Sequence, residues 1–394
     1  MLAPGFLAIA TCLGAALCAP PAIAQTITDL GTLGGATSQA NAINASGQVV
    51  GSAETASGGM RAFLYANGVM TDLGTLAGFY TAASGINAGG QIVGASNTAG
   101  GVANAFQYSN GIMLNLGTLE GGAQSYAIGI NASGEVVGYS ATASGDTVGF
   151  LYSNGVMTDL GRPYPDSNLV SAVAINDIGQ VVGLWGVVGG SANHTGPFLY
   201  SGGIMTDLGT LGGNDGAANG INNSGQIVGY STIATSADSY RAFLYSQGVM
   251  TNLGTLGGDQ SQAFGINASG QVVGNSMTAG NVAHAFLYWS GSMFDLNSLL
   301  PANSGWVLQW ASAINDSGQI VGYGINPAGQ YHAFLRDTQP AIASLSPTAV
   351  TASGPAFPRA ASAARRCPAP GRRWPGCESH TSRPAPPGPR RSPA

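Results

Sequence analysis

Between residues 26 and 337, short apolar runs alternate with clusters of Gly, Asn and Ser. The runs are continuous or alternating Val, Ile, Phe and Tyr, and they close at Gly. This is the punctuation of short β-strands, because β-branched and aromatic side chains suit a pleated surface. In the first complete unit, Gln39–Ile43 and Gln48–Ser52 flank Asn44-Ala45-Ser46-Gly47. Asn at the first and Gly at the fourth position are the preferences of a type I turn. Next, Asn67-Gly68 separates Ala62–Tyr65 from Val69–Leu73. Asn-Gly is the strongest short hairpin signal, through a type I′ turn. It recurs at Asn110-Gly111 and Asn154-Gly155, and as Gly202-Gly203. Each unit is therefore expected to be two hairpins, or four strands.

The units repeat. An Asp or Asn followed by Leu stands at 29, 72, 115, 159, 207, 252 and 295, with spacings of 43, 43, 44, 48, 45 and 43. Ile-Asn-x-x-Gly begins at Ile43, Ile86, Ile130, Ile175, Ile221, Ile266 and Ile314. Four-stranded units of about 40–50 residues have the size of a propeller blade. Thr26–Gly31 reads as a fourth strand without its first three, and the last unit ends at its third strand, His332–Arg336. Pairing the two completes 28 strands and removes two open edges. The expected fold is all-β: a seven-bladed β-propeller of four-stranded blades, with the ring closed by the N-terminal strand. The competing architecture is an open solenoid with polar caps, which needs no split repeat. First strands are small (Ala40, Ala42, Ala82, Ala83), as crowding at a channel requires, and third strands are bulkier (Phe63, Leu64, Tyr65).

Composition agrees. Of 394 residues, 62 are Gly and only 7% are charged, with no Lys. Turns repeated in every unit account for Gly, and blades buried on both faces account for the low charge. Before residue 338 there are 16 acids and 4 Arg; beyond it there are 8 Arg and one Glu. An acidic body argues against nucleic-acid binding, which needs Lys and Arg at phosphates. Cys occurs at 12, 18, 367 and 377, and His only at 194, 284, 332 and 380. No Cys/His metal cluster is spelled there, and no metal or cofactor is expected.

Residues 1–24 read as a signal peptide. An apolar run at 6–18 is too short to span a bilayer and leads to Ala22-Ile23-Ala24. No later segment has the apolar length of a membrane helix. A secreted or cell-surface location follows as the expectation.

A residue repeated in every unit is most simply structural. Asp72 and its equivalents are expected to cap the following turn, since Asn115 and Asn252 keep the acceptor but lose the charge. The Asn of Ile-Asn-x-x-Gly is read as a turn residue on the same grounds. No carboxylate pair, Ser–His–Asp set or phosphate loop stands at a meaningful spacing. Function is expected where the units differ, on the face carrying the second-to-third and unit-to-unit links. The longest second-to-third link is read as Leu184–Thr195. Candidate ligand-binding residues there are Tyr80, Tyr164, Asp166, Trp185, His194, Asp215, Asp259 and Trp306. No catalytic residue is assigned.

At Asn252–Met293 the text Asn-Leu-Gly-Thr-Leu-Gly-Gly, Ile-Asn-x-x-Gly-Gln-Val-Val-Gly and His284-Ala285-Phe286-Leu287-Tyr288 resembles the HAF-repeat family, whose members are taken to be extracellular bacterial proteins. Other units depart at the naming triplet, with Arg61, Asn104 and Val148 in place of His. The resemblance covers residues 26–337 and implies an extracellular compartment without a particular chemistry. Residues 338–357 resemble the start of an IPT/TIG immunoglobulin-like domain. Residues 358–394 are Arg- and Pro-rich and cannot form strands. They read as a disordered tail produced by a frameshift near Phe357; the alternative is a genuine basic arm.

The expected function is a secreted or surface binding and display module, monomeric and non-catalytic, for an extracellular glycan, cell wall or protein ligand. The alternative is a secreted carbohydrate-active enzyme with its site at the channel mouth.

Overall fold

The computed structural model describes residues 27–119, 121–189, 193–234 and 236–338, without the side chains of 236–238. The expected signal peptide, the IPT/TIG-like start and the Arg/Pro-rich tail lie outside the described residues, as does Thr26.

The chain is all-β, built of four-stranded antiparallel sheets in the manner of a β-propeller. The units are numbered here by their opening strands: Gly34–Ile43, Ala77–Ile86, Ser125–Ile130, Leu169–Ile175, Gly212–Ile221, Gly257–Ile266 and Val307–Ile314. In unit one, Gly34–Ile43 pairs with Val49–Thr55, that strand with Met60–Ala66, and that with Val69–Asp72. A parallel bridge, Thr147 with Leu169, joins the sheets of units three and four. Opening strands of successive units lie side by side, and Val307–Ile314 lies beside Gly34–Ile43.

The turn chemistry follows the sequence. Asn67 and Gly68 have φ of 52° and 82°, the two positive values that a type I′ turn needs. Gln247-Gly248 and Ser290-Gly291 form the same turn (51° and 81°, 50° and 82°) without the Asn-Gly spelling. Opening strands are longer than the Gln39–Ile43 reading in units one, two, five and six, at 10 residues each. The added residues at the start of unit one include Gly34 and Gly35: Gly34 pairs with Thr55, and a Cβ on Gly35 would fall 2.6 Å from the Glu54 side chain. Glycine allows this approach.

Every opening strand carries a bulge. In unit one the register shifts between Ala40 and Ala42, leaving Asn41 as the extra residue. The equivalents in units two, three and six lie at Ser84, Ile128 and Phe264.

The Asn of Ile-Asn-x-x-Gly does more than make a turn. Asn44 Oδ1 accepts from the amides of Ser46 and Gln48, while its Nδ2 donates to Gln48 Oε1 and to the Asn87 carbonyl of the next unit. Asn87, Asn131, Asn176, Asn222 and Asn267 each donate to the next Asn carbonyl, and Asn315 donates to Asn44 O at 3.1 Å. These side chains are buried and fully bonded. Asn222→Ala removes acceptor and donors together, so stability should fall by about 2 kcal/mol. Urea unfolding midpoints would check this, and an unchanged midpoint would refute the inter-unit role.

Ile27–Asp29 pairs antiparallel with Tyr331–Asp337 at the outer edge of unit seven. Leu30 N donates to Ala333 O, and Asp29 accepts from His332 Nδ1 at 2.8 Å and Asn326 Nδ2 at 3.2 Å. Between units, Phe63, Phe106, Phe150, Phe198, Phe243, Phe286 and Phe334 are fully buried, as the bulky third strand predicts. Arg336 is also fully buried: its guanidinium donates to the Leu296 and Leu299 carbonyls of a short 3-10 helix, and burial pushes its pKa down to about 10.

Candidate functional site

A repeated hydrogen-bond frame surrounds each fourth strand. Asp72 Oδ1 accepts from Gly74 N, and Asp29, Asn115, Asp159, Asp207 and Asn252 do the same for the glycine two residues on. Asp295 does so for Asn297 N. The expected capping role is what the geometry shows, and Asn serves as well as Asp because only an acceptor is needed. In three units the facing third-strand side chain also bonds this residue. His284 Nδ1 donates to Asp295 Oδ2 at 2.7 Å, His332 Nδ1 to Asp29, and Asn104 Nδ2 to Asn115 at 3.1 Å. The histidine of the naming triplet is thus a strand-to-strand tie.

Unit four lacks this second bond, as units one, three and five do, and departs further. Its third-strand residue at that position is Gly196, which has no side chain to offer Asp207. Opposite Gly196 in the register stands Trp185, where other units have Ala53, Ser96, Ser140, Ser231, Ser276 or Gly324. The Ser of units two, three, five and six accepts the backbone N–H of Leu76, Leu119, Leu211 and Leu256 and so anchors the unit-to-unit link. With Trp in its place, the link into unit four runs a different course through Tyr164. The Tyr164 hydroxyl donates to Asp207 Oδ2 at 3.1 Å. That hydrogen bond, then the Asp207 charge, holds the phenol pKa above its usual value, so the hydroxyl stays protonated.

Gly196 and Trp185 depend on each other. A Cβ on Gly196 would fall 2.6 Å from the indole nitrogen. Trp185 packs against Tyr164 (ring centroids 4.7 Å apart, tilted 59°) and edge-on against His194 (5.2 Å, 83°). Beside them opens a cavity of about 270 Å3, lined by Trp185, His194, Thr195, Asp207, Thr210 and Asn214 among others. Of the eight residues expected on the rim, Tyr164, Trp185 and His194 therefore come together, although Trp185 is buried in the core of unit four rather than exposed as expected. Asp215 supports them, its Oδ1 accepting from Thr195 N at 3.0 Å and from the Thr195 hydroxyl.

The others lie elsewhere. Tyr80 lines a separate cavity of about 220 Å3 with Tyr126 and Tyr139. Asp166 and Asp259 are exposed, and the Asp259 carbonyl accepts from Arg241. Trp306 corrects the expectation of an exposed rim aromatic. It is 9% exposed, packs edge-on against Phe334 and belongs to the core between units six and seven. An indole beside Pro and Gly text reads as loop, but burying so large an apolar surface outweighs leaving it wet. The second-to-third link of unit four is also shorter than Leu184–Thr195, because strands Val181–Val187 and His194–Ser201 extend into it.

Asp207, Gly196, Thr210 and Asn214 were not singled out from sequence. Asp207 looks like any other turn cap. The available signal was positional: aligned by unit, Trp185 replaces a small residue, and Gly196 stands where every other unit has a side chain.

Two further cavities lie near the opening strands. One of about 400 Å3 is lined by the bulge residues Asn41, Ser84, Ile128, Val173, Asn219 and Phe264 among others. Phe264 stacks on Trp310 (4.4 Å), and Trp310 on Tyr323 (5.8 Å), two aromatic exceptions to the small opening strand. The other, of about 260 Å3, lies at the Asn turns, where Asp177 and Asp316 accept from the Ala132 and Ala268 amides of the preceding units.

No protein-family model matches the chain, and no curated protein matches it in sequence. Among solved structures it resembles a puromycin-hydrolysing peptidase of Mycobacterium tuberculosis: 10% identity, TM-score 0.50, over 78% of this chain and 52% of that one. TolB from Acinetobacter baumannii is also similar (10% identity, TM-score 0.42, 74% of this chain), and the chain spans 64% of its length. A six-bladed β-propeller lectin from Aleuria aurantia matches at 11% identity and TM-score 0.35, over 64% of this chain and 89% of the lectin. These are likenesses of fold.

Proposed function

We propose that the chain is a seven-bladed propeller closed by its N-terminal strand, acting as a secreted or cell-surface binding module of the HAF-repeat kind. Closure is supported by the pairing of Ile27–Asp29 with Tyr331–Asp337 and by the Asn315 side chain donating to Asn44. The binding reading rests on one observation. In unit four a tryptophan stands where the second strands of the other units carry Ala, Ser or Gly, and there a cavity opens with aromatic and carboxylate walls.

The test is an array of glycans and cell-wall fractions probed with the full chain. Saturable binding to at least one class is expected. A blank array at micromolar protein would overturn the binding reading, while release of reducing sugar from a bound glycan would establish the carbohydrate-active alternative.

A further inference from the structure

We propose that the cavity between Trp185 and Asp207 binds a neutral, polyhydroxylated ring of monosaccharide size. This rests on the binding-module reading above and narrows it to one site and one ligand class.

Three features carry the inference. First, Trp185 is only 5% exposed, and its Nε1–H has no hydrogen-bond partner among the described residues. Buried donors are nearly always paired, so this unpaired donor, itself closed off from solvent on a residue that lines the cavity, marks the wall that a ligand acceptor would have to reach. Gly196 beneath it keeps that space clear of any side chain. Second, Asp207 faces the same cavity. Its two oxygens accept from Gly209 N and from the Tyr164 hydroxyl, and a carboxylate has lone pairs for further donors. Third, about 270 Å3 lies just below the range of drug-sized pockets and suits a single ring.

Charge then selects the class. An anion would meet the Asp207 carboxylate, with the half-buried Asp215 behind Thr195. A cation has no acceptor for the indole N–H. A hydroxyl both accepts and donates, and a sugar presents several around a ring whose C–H edges suit the Trp185 and His194 walls. Asn214 and Thr210 at the mouth add amide and hydroxyl contacts.

The test uses the full chain, 15N-labelled, titrated with glucose, galactose, mannose, fucose and N-acetylglucosamine, with glucuronate as the charged control. Saturable shift of the Trp185 Nε1–H resonance, identified by its loss in Trp185→Phe, is expected with at least one neutral sugar. Asp207→Asn should weaken that sugar about tenfold or more, corresponding to loss of a charge-assisted hydrogen bond. Asn is already accepted at this position in two units, so the fold is kept. Trp185→Phe should weaken binding similarly. The proposal is overturned if no neutral sugar binds, if glucuronate binds as tightly, or if both variants bind like the parent. A glycan-array signal that survives both substitutions would leave the binding-module reading standing and remove this site from it.

Discussion

Deleting Ile27–Gly31 is expected to lower the thermal midpoint by about 10 °C or more, the largest effect foreseen from so short a segment. The segment contributes a three-residue ladder with Asp29–Ile27 against Phe334–Arg336, and the Leu30 N–H bond to Ala333. At about 1 kcal/mol for each hydrogen bond these contribute about 3 kcal/mol. Leu30 is buried, and losing its burial costs about 2 kcal/mol more. The deletion also leaves His332, 9% exposed, without its Asp29 partner and exposes the strand Tyr331–Asp337 as an open edge. Differential scanning calorimetry of the deleted and parent chains measures the effect. Leu30→Ala alone should lose only about half as much. Equal midpoints for the deletion and the parent would contradict ring closure.

Gly183→Ala should destabilise by about 3 kcal/mol or more, whereas Gly155→Ala should cost about 1 kcal/mol. Gly183 lies inside the second strand of unit four. A Cβ there would stand 1.9 Å from the Ser171 carbonyl oxygen and 3.0 Å from Ala172 Cα, both backbone atoms, with the Phe198 ring also at 3.0 Å. Nothing flexible is in the way, so relief requires the opening strand to move and its bulge to be lost. Gly155 is a turn residue with φ of 82° and open space where its Cβ would be. It asks only for left-handed backbone. Gly51, Gly94, Gly138, Gly229, Gly274 and Gly322 repeat the Gly183 geometry, each with a carbonyl within 2.0 Å of the Cβ position. Chemical denaturation of both variants tests the contrast, and equal losses would show that these glycines act through backbone freedom alone.

These glycines show where sequence reading stopped. Val-Val-Gly reads as a strand ending in Gly, and the Gly excess as turn chemistry. Part of it is instead close approach: the extra residue of each bulge pushes a carbonyl toward the facing strand. A bulge is a mismatch between two strands, so neither strand's text records it. The candidate site has the same character. Trp185 and His194 stand out as rare residues in a long link, and Tyr164 as an aromatic in an irregular one. That they meet, with Asp207 between them and cavity, depends on register, since Trp185 and Gly196 are directly paired across two strands. Trp306 has equally conspicuous text and an opposite fate, because the 3-10 helix at Leu296–Leu299 carries its link over the core.

The sequence by itself determined the all-β class, the four-strand unit, the turn types at Asn-Gly and Asn-x-x-Gly, and the capping role of Asp72 and its equivalents. Each is a local matter of dihedral preference or of an acceptor two residues from a donor, and such chemistry is spelled where it acts. The tertiary structure decided what the repeated Asn side chains reach and which glycines need room rather than freedom. It also decided which rare aromatics share a cavity. Those outcomes depend on atoms of different strands being brought together, across 271 residues for Asn315 and Asn44 and 303 for His332 and Asp29. Register and sheet packing set those distances, and neither is a property of a single strand.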